Sequence, residues 1–309
     1  MRHNKGILWK GLTEWVFHDL LRFLFPDADR VFDLKAPVEF MDKELAQLCA
    51  EPKGKATIRF VDKLVKVKLK NRPRAYALIH LEIQGQTKTK ERPFFGERMF
   101  RYFNLIFAKH PYSPLASIAI FTGKDGHLLS KGYTYSFMGT RLPYRCNTIN
   151  IRDHSDELLG ASANPFAWSL FVARQALLGG RDREKRLLEK KWFLFRKLYD
   201  NGLFDDRKLQ AILVFMEDYL PFKDRKISRK FKRRINQFTG KKNTMDIFEQ
   251  VAQMRIEEGR QLGQKEAKDM FVRDLLAGTE FSDEKIASLT RVSVRRVAAI
   301  RKKLRTKKR

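Results

Sequence analysis

Hydrophobic and polar positions follow two periods along this chain, first that of a helix and then that of a strand. From Thr13 to Phe25 the residues Trp15, Leu20, Leu21, Leu24 and Phe25 form the apolar side of a helix that Pro26 ends. Residues 39–50 also read as a helix. Over 57–69 the period becomes two: one set is Val61, Lys63, Val65, Val67 and Leu69, the other Phe60, Asp62, Leu64 and Lys66. A turn at Asn71–Pro73 leads to a second strand over 75–84. Its apolar face is Ala77, Ile79, Leu81 and Ile83; its other face is Tyr76, Leu78, His80, Glu82 and Gln84. A helix over 97–108, a buried-type strand over 116–121 and strand-like residues 133–151, interrupted at Leu142–Pro143, follow. This β-β-α-β order predicts an α/β core rather than a helical bundle.

After Asn164–Pro165 the pattern turns helical over 166–178, 183–200 and 206–219, and Pro221 closes that block. Residues 245–277 read as a long polar helix or coiled segment. Ser282 and Ser293 are N-caps for helices over 283–289 and 294–304. Ile286, Leu289, Val292, Val294, Val297 and Leu304 are expected to form one apolar cluster, with the small Ala287 where the helices cross. The pair resembles a helix-turn-helix. Four segments result: a core over 1–160, a helical extension over 161–222, a basic and helical linker over 223–278, and a helix-turn-helix-like basic tail over 279–309.

Composition narrows the partners. The chain has 309 residues, of which 43% are hydrophobic, enough for a real core. Its 64 Lys and Arg outweigh 36 Asp and Glu, for a net charge of +28. The excess is uneven: residues 223–242 carry +9 and residues 291–309 carry +10. A polyanion is the expected partner, DNA first, with RNA left open. In the first run Arg229, Lys230, Lys232, Arg233 and Arg234 are interleaved with Phe222, Ile227, Phe231 and Ile235 at helical spacing. That pattern suits a helix lying on phosphates, or equally on an acidic membrane surface. In the second run Arg295, Arg296, Ala299 and Lys302 are expected to face a groove, and Lys303 and the tail to meet phosphates. No apolar run approaches the ~18 residues of a membrane span. A cytoplasmic, nucleoid-associated protein without a membrane partner is expected. Cys49 and Cys146 define neither a disulfide framework nor a zinc site. There is no phosphate-binding loop of the GxxxxGK type, no GxGxxG and no GxSxG elbow.

Two acidic residues stand out against the strand pattern. Asp62 and Glu82 occupy strands otherwise rich in Val, Leu and Ile. Asp62 precedes the turn and Glu82 follows it, so antiparallel pairing brings the carboxylates together. Two ionised carboxylates side by side repel unless a cation lies between them. A hard ion such as Mg²⁺ takes such oxygens and keeps several waters. One of those waters can attack a phosphodiester while the metal stabilises the developing charge. The plain alternative is an exposed Asp62 and a Glu82 paired with one of the many lysines.

The order Asp62…Glu82-Ile83-Gln84 resembles the core motif of PD-(D/E)xK nucleases. More narrowly, FHDLLRFLFPD at 17–27, EFMDKELAQL at 39–48, VDKLVKVKL at 61–69, IHLEIQGQ at 79–86 and ERMFRYFNLIFAKH at 97–110 resemble the recombination-promoting nuclease (Rpn) and transposase-like family of that group. The resemblance implies an α/β fold: a restriction-endonuclease-like mixed sheet with flanking helices. It implies a Mg²⁺-dependent DNA endonuclease, with Mn²⁺ or Ca²⁺ as substitutes, that promotes DNA breakage or recombination. Carried over residue by residue, it makes Asp62 and Glu82 metal ligands, with the backbone carbonyl of Ile83 as a third. Gln84 would orient water, and Asp19 would be an upstream helix carboxylate acting directly or through water. Gln84 stands where many such enzymes have Lys, and an amide brings no positive charge. Arg98 and Tyr102, at i,i+4, share a helix face and are expected to brace Glu82 or pack rather than to touch phosphate. A double-strand cut takes two active sites, which leaves a homodimer open. The competing expectations are a non-catalytic DNA-binding protein with a vestigial nuclease core, and an RNA-directed nuclease.

Overall fold

A computed structural model describes residues 5–48, 63–72, 75–85, 89–200, 206–239, 263–264 and 267–306. The chain divides into two units, Met1–Thr244 and Met245–Arg309. The first opens with α1 (Lys5–Leu24), α2 (Ala28–Val31), β1 (Glu39–Phe40), α3 (Asp42–Leu48), β2 (Lys63–Lys68) and β3 (Tyr76–Gln84). It continues with α4 (Phe95–Lys109), β4 (Leu115–Phe121), β5 (Gly132–Phe137), β6 (Thr140–Arg145) and β7 (Asn147–Asn150). Helices α5 (Asp156–Ala161), α6 (Pro165–Gln175), α7 (Arg183–Asp200), α8 (Asp206–Tyr219) and α9 (Arg225–Thr239) complete it.

The α/β reading holds: a mixed five-stranded sheet runs β1-β2-β3-β4-β7 with helices flanking it. The pairs β1–β2 and β2–β3 are antiparallel, whereas β3–β4 and β4–β7 are parallel. The parallel step from β3 to β4 needs a crossover, and α4 supplies it. The β2–β3 register runs from Lys63 opposite Leu81 to Lys68 opposite Tyr76. From Ala77 to Gln84 β3 is buried on both faces. Its even-numbered face lies under α4, where Phe95 meets Phe121 of β4 at 5.2 Å and Tyr102 meets His80 at 5.5 Å. The other face lies under α1: Lys63, on the face opposite to Glu82, donates to Glu14 at 2.7 Å. Gly96 lets α4 approach the hairpin, since a Cβ there would stand 1.9 Å from the Gly132 carbonyl oxygen.

Several elements depart from the sequence expectations. The first helix extends back to Lys5 and breaks its geometry at Val16. The segment read as a helix from residue 39 begins instead with the two strand residues of β1, which pair with Lys66 and Val65. The expected strand over 57–69 is described only from Lys63, and Asp62 lies outside the described residues. Within 133–151 the break falls at Met138–Gly139 rather than at Leu142–Pro143. Both turn residues have positive φ, 43° and 84°, as a two-residue hairpin turn with strand-matching twist requires. Pro143 sits inside β6, tolerated because β5 and β6 form a two-stranded ribbon in which each strand is an edge.

The helical layer is tied to α1 by Asn164. Its side-chain oxygen caps α6 through Phe166 N at 2.8 Å, and its amide donates to the Asp19 carbonyl at 2.9 Å. Helix α9 buries Phe231 and Ile235, and Phe238 meets Trp192 of α7 at 5.5 Å. Phe231 and Ile235 thus face the protein, while Ile227 is half-buried and Phe238 partly exposed. Among the described residues no helix is long and apolar enough to cross a membrane.

The second unit contains the helical residues 267–278 (α10), α11 (Asp283–Thr290) and α12 (Val294–Thr306). Val272, Ile286, Ala287, Val297 and Ile300 form its core. Ser282 Oγ caps α11, accepting from Lys285 N at 3.3 Å. Arg291 ends that helix in the left-handed region, at φ 53°. The expected cluster needs correction at two positions, because Leu289 is 49% and Val294 41% exposed. Core residues also come from α10, so α11 turns Ile286, Ala287 and Thr290 inward and leaves Leu289 outside. Most of the segment over 245–277 lies outside the described residues.

Candidate functional site

Strand alternation puts His80, Glu82 and Gln84 on one face of β3, beneath α4. All three are buried. Their neighbours on β4 are Ser117, Ala119 and Phe121, so the cluster sits on an otherwise small or apolar floor. Arg98, one turn before Tyr102 on α4, closes it from above. Its Nη2 donates to Glu82 Oε1 at 2.9 Å and to Gln84 Oε1 at 2.8 Å. The bracing expected of Arg98 is thus what the structure contains, and one guanidinium orients both side chains of the Glu-x-Gln step.

Behind them, His80 is fully buried, and neither ring nitrogen has a hydrogen-bond partner. Burial, reinforced by the positive charge of Arg98, pushes its pKa down to about 4. The neutral ring packs edge-on against Tyr102. His80 is legible in the sequence only as a polar residue on the polar face of a strand; its neutral state follows from a burial that no pattern announces.

Ile83 is buried on the opposite face of β3, toward α1. Asp19 is buried on α1, where its Oδ2 lies 2.8 Å from Lys208 Nζ of α8 and its Oδ1 3.5 Å from Arg22 Nη1. These partners come from α8 and from α1 itself. Asp42 pairs with Lys10 at 2.7 Å and Glu44 with His110 at 3.0 Å. Among the described residues no group of three or more His, Cys, Asp or Glu could hold a metal ion. They supply one carboxylate at the cluster, Glu82, and the second expected there, Asp62, lies outside them.

The basic candidates divide by what they touch. On α9, Arg229, Lys230, Lys232 and Arg233 are exposed, whereas Arg234 is held by Glu189 at 2.8 Å. On α12, Arg295 is exposed, but Arg296 is bound in a fork by Asp269, with both contacts at 2.8 Å. Lys302 and Lys303 belong to the backbone of α12, and their side chains lie outside the described residues. Comparison with protein-family models, curated proteins and solved structures finds no match for this chain.

The cluster can be tested as a pair and as a titrating unit. Arg98→Ala leaves a buried carboxylate without its guanidinium and is expected to lower stability by about 3 kcal/mol. Adding Glu82→Gln is expected to recover a large part of that loss, as urea denaturation of both single variants and the double variant will measure. Strictly additive losses would mean that the two residues do not act as a pair. The pH dependence has a defined sign. Folding weakens the hold of His80 on its proton, so the unfolded chain binds more protons between about pH 4 and pH 6.5. The stability contributed by neutral His80 is full above pH 6.5 and is lost as the pH falls through that window, a change on the order of 3 kcal/mol. Urea midpoints at pH 7 and pH 5 should therefore differ more in the wild type than in His80→Leu, and equal differences would contradict this.

Proposed function

We propose that the chain is a Mg²⁺-dependent DNA endonuclease with a restriction-endonuclease-like core, of the Rpn and transposase-like type that its sequence resembles. The observation that carries this is the polar pair Glu82 and Gln84, set by Arg98 on one face of a buried strand in a mixed sheet. The β2–β3 register supports it. Lys63, which follows Asp62 in the chain, is opposite Leu81, which precedes Glu82. Continued by one residue, that antiparallel register would set Asp62 opposite Glu82 with the same parity. Asp62, Glu82 and the carbonyl of Ile83 would hold Mg²⁺, which when bound supplies charge for the phosphate and an acidified water. Gln84 accepts from Arg98 through Oε1, and its amide N–H groups are the donors that would orient that water. Arg98 provides the fixed positive charge that Gln84 lacks. DNA would be gripped by the exposed cations of α9 and of the second unit, chiefly Arg229, Lys230, Lys232, Arg233 and Arg295. Such a grip is insensitive to sequence, because these groups meet phosphates.

The second reading, a DNA-binding protein with a vestigial core, is favoured by one fact. Glu82 is only 1% exposed and already ion-paired, as a purely structural carboxylate would be.

Supercoiled plasmid incubated with the purified chain separates the two. Nicking is expected with Mg²⁺, not with EDTA, and not in Asp62→Ala or Glu82→Gln. Cutting that survives either substitution would refute the site, and DNA binding with no Mg²⁺-dependent nicking would establish the second reading. The grip has its own measure. Replacing Arg229, Lys230 and Arg233 by Gln should flatten the plot of log affinity against log salt by about 0.9 for each phosphate that is no longer neutralised. An unchanged slope would remove α9 from the interface.

A further inference from the structure

We infer that the β5–β6 hairpin is an arm that takes unstacked bases of a nucleic-acid strand between its aromatic rings. This does not depend on phosphodiester cleavage and adds a surface distinct from the basic helices. Alternation along the ribbon puts Tyr133, Tyr135 and Phe137 of β5 on one face with Leu142 and Tyr144 of β6. At the base of the hairpin that face is anchored, because Phe100 of α4 stacks on Tyr133 at 5.1 Å and meets Tyr144 at 5.4 Å. Farther out it is bare. Phe137 is 61% exposed and Met138, at the turn, 87%. A large apolar tip left in water on a rigid base marks a contact surface.

Three features select the partner. Residues 126–152 contain no Asp or Glu but include Lys131, Arg141, Arg145 and Arg152. Among the described residues no carboxylate pairs with Lys131, Arg141 or Arg145, and Lys131 and Arg145 line an open groove of about 570 Å³ at the foot of the arm. These groups match phosphates. The spacing of the rings matches bases: two residues along a strand advance about 6.8 Å, twice the roughly 3.4 Å base-stacking rise, so one base fits between Tyr135 and Phe137. Rings and cations interleaved in this way are how single strands are held without a sequence code. A second copy of this chain would bring like charge to an acid-free ribbon. A bilayer is poorly matched by a face whose rings at 133, 135 and 144 carry hydroxyls.

Fluorescence anisotropy in EDTA, with a labelled thymidine oligonucleotide and an abasic strand of equal length, tests the arm. Phe137→Ala and Tyr135→Ala should each weaken binding of the thymidine strand by about tenfold and leave the abasic strand unaffected. Arg141→Gln should weaken both alike. Phe137→Trp should bind as the wild type does, with the added indole quenched by the thymidine strand and not by the abasic one. The inference is overturned if Phe137→Ala changes neither strand or both equally. It is also overturned if that variant instead lowers the molar mass in solution or abolishes binding to phosphatidylserine vesicles, which would assign the tip to a second copy or to a membrane.

Discussion

Strand β3 is covered on both faces, yet His80, Glu82 and Gln84 are polar, and the first unit is organised around that constraint. An ionised carboxylate in such a place costs several kcal/mol unless a cation and further hydrogen bonds meet it. Arg98 meets it, and because the same Nη2 also serves Gln84, the rotation of α4 about its own axis is fixed. The approach of α4 is fixed by Gly96 against Gly132. Contacts that look independent follow from those two, including Phe95 on Phe121 and Tyr102 on His80. Aromatic packing here completes an arrangement that a polar contact and a missing Cβ define.

The same solution recurs where a cation is buried. Lys63 has no exposed surface and reaches Glu14 at 2.7 Å while lying 4.3 Å over the ring of Phe40. Lys191, also fully buried, pairs with Glu217 at 2.7 Å between the rings of Phe222 and Phe231. Burial lowers its pKa and Glu217 acts against that shift. This second site locks α9 onto α7 and α8, and so decides which side of the basic helix can meet solvent. A net charge of +28 thus resolves into cations held by internal carboxylates and cations presented to solvent.

What the sequence made legible was local, and what it hid was tertiary. The period of two over 75–84 survived intact, so Glu82 and Gln84 could be picked out as polar residues of an apolar strand. The bond between Arg98 and Glu82 is half visible, because i,i+4 spacing gives the face of a helix but not the strand beneath it. Pro143 is stronger local punctuation than Met138–Gly139, so the sequence pattern puts the interruption of 133–151 at Leu142–Pro143 and not at the turn. Positive φ at both turn residues makes sense only once β5 and β6 are paired. Leu289 and Val294 fit a core by period alone yet are exposed, because helical periodicity does not say how many helices share that core. Arg296 and Asp19 have partners that no local pattern announces, Asp269 and Lys208, far away in sequence.

The identity of residue 84 follows from the same electrostatics. Gln84 Oε1 lies 2.8 Å from Arg98 Nη2, and that nitrogen is 2.9 Å from Glu82. A lysine at 84 would set a second cation against the guanidinium, with one carboxylate of the described residues to share between them, and like charges at such distances in a buried site are costly. An amide avoids the repulsion and accepts the bond. Position 84 and position 98 are therefore one choice rather than two: with an arginine delivered from α4, a neutral acceptor is required on the strand. The absence of lysine from the strand marks a positive charge carried by a different element, held within hydrogen-bonding distance of the carboxylate it serves.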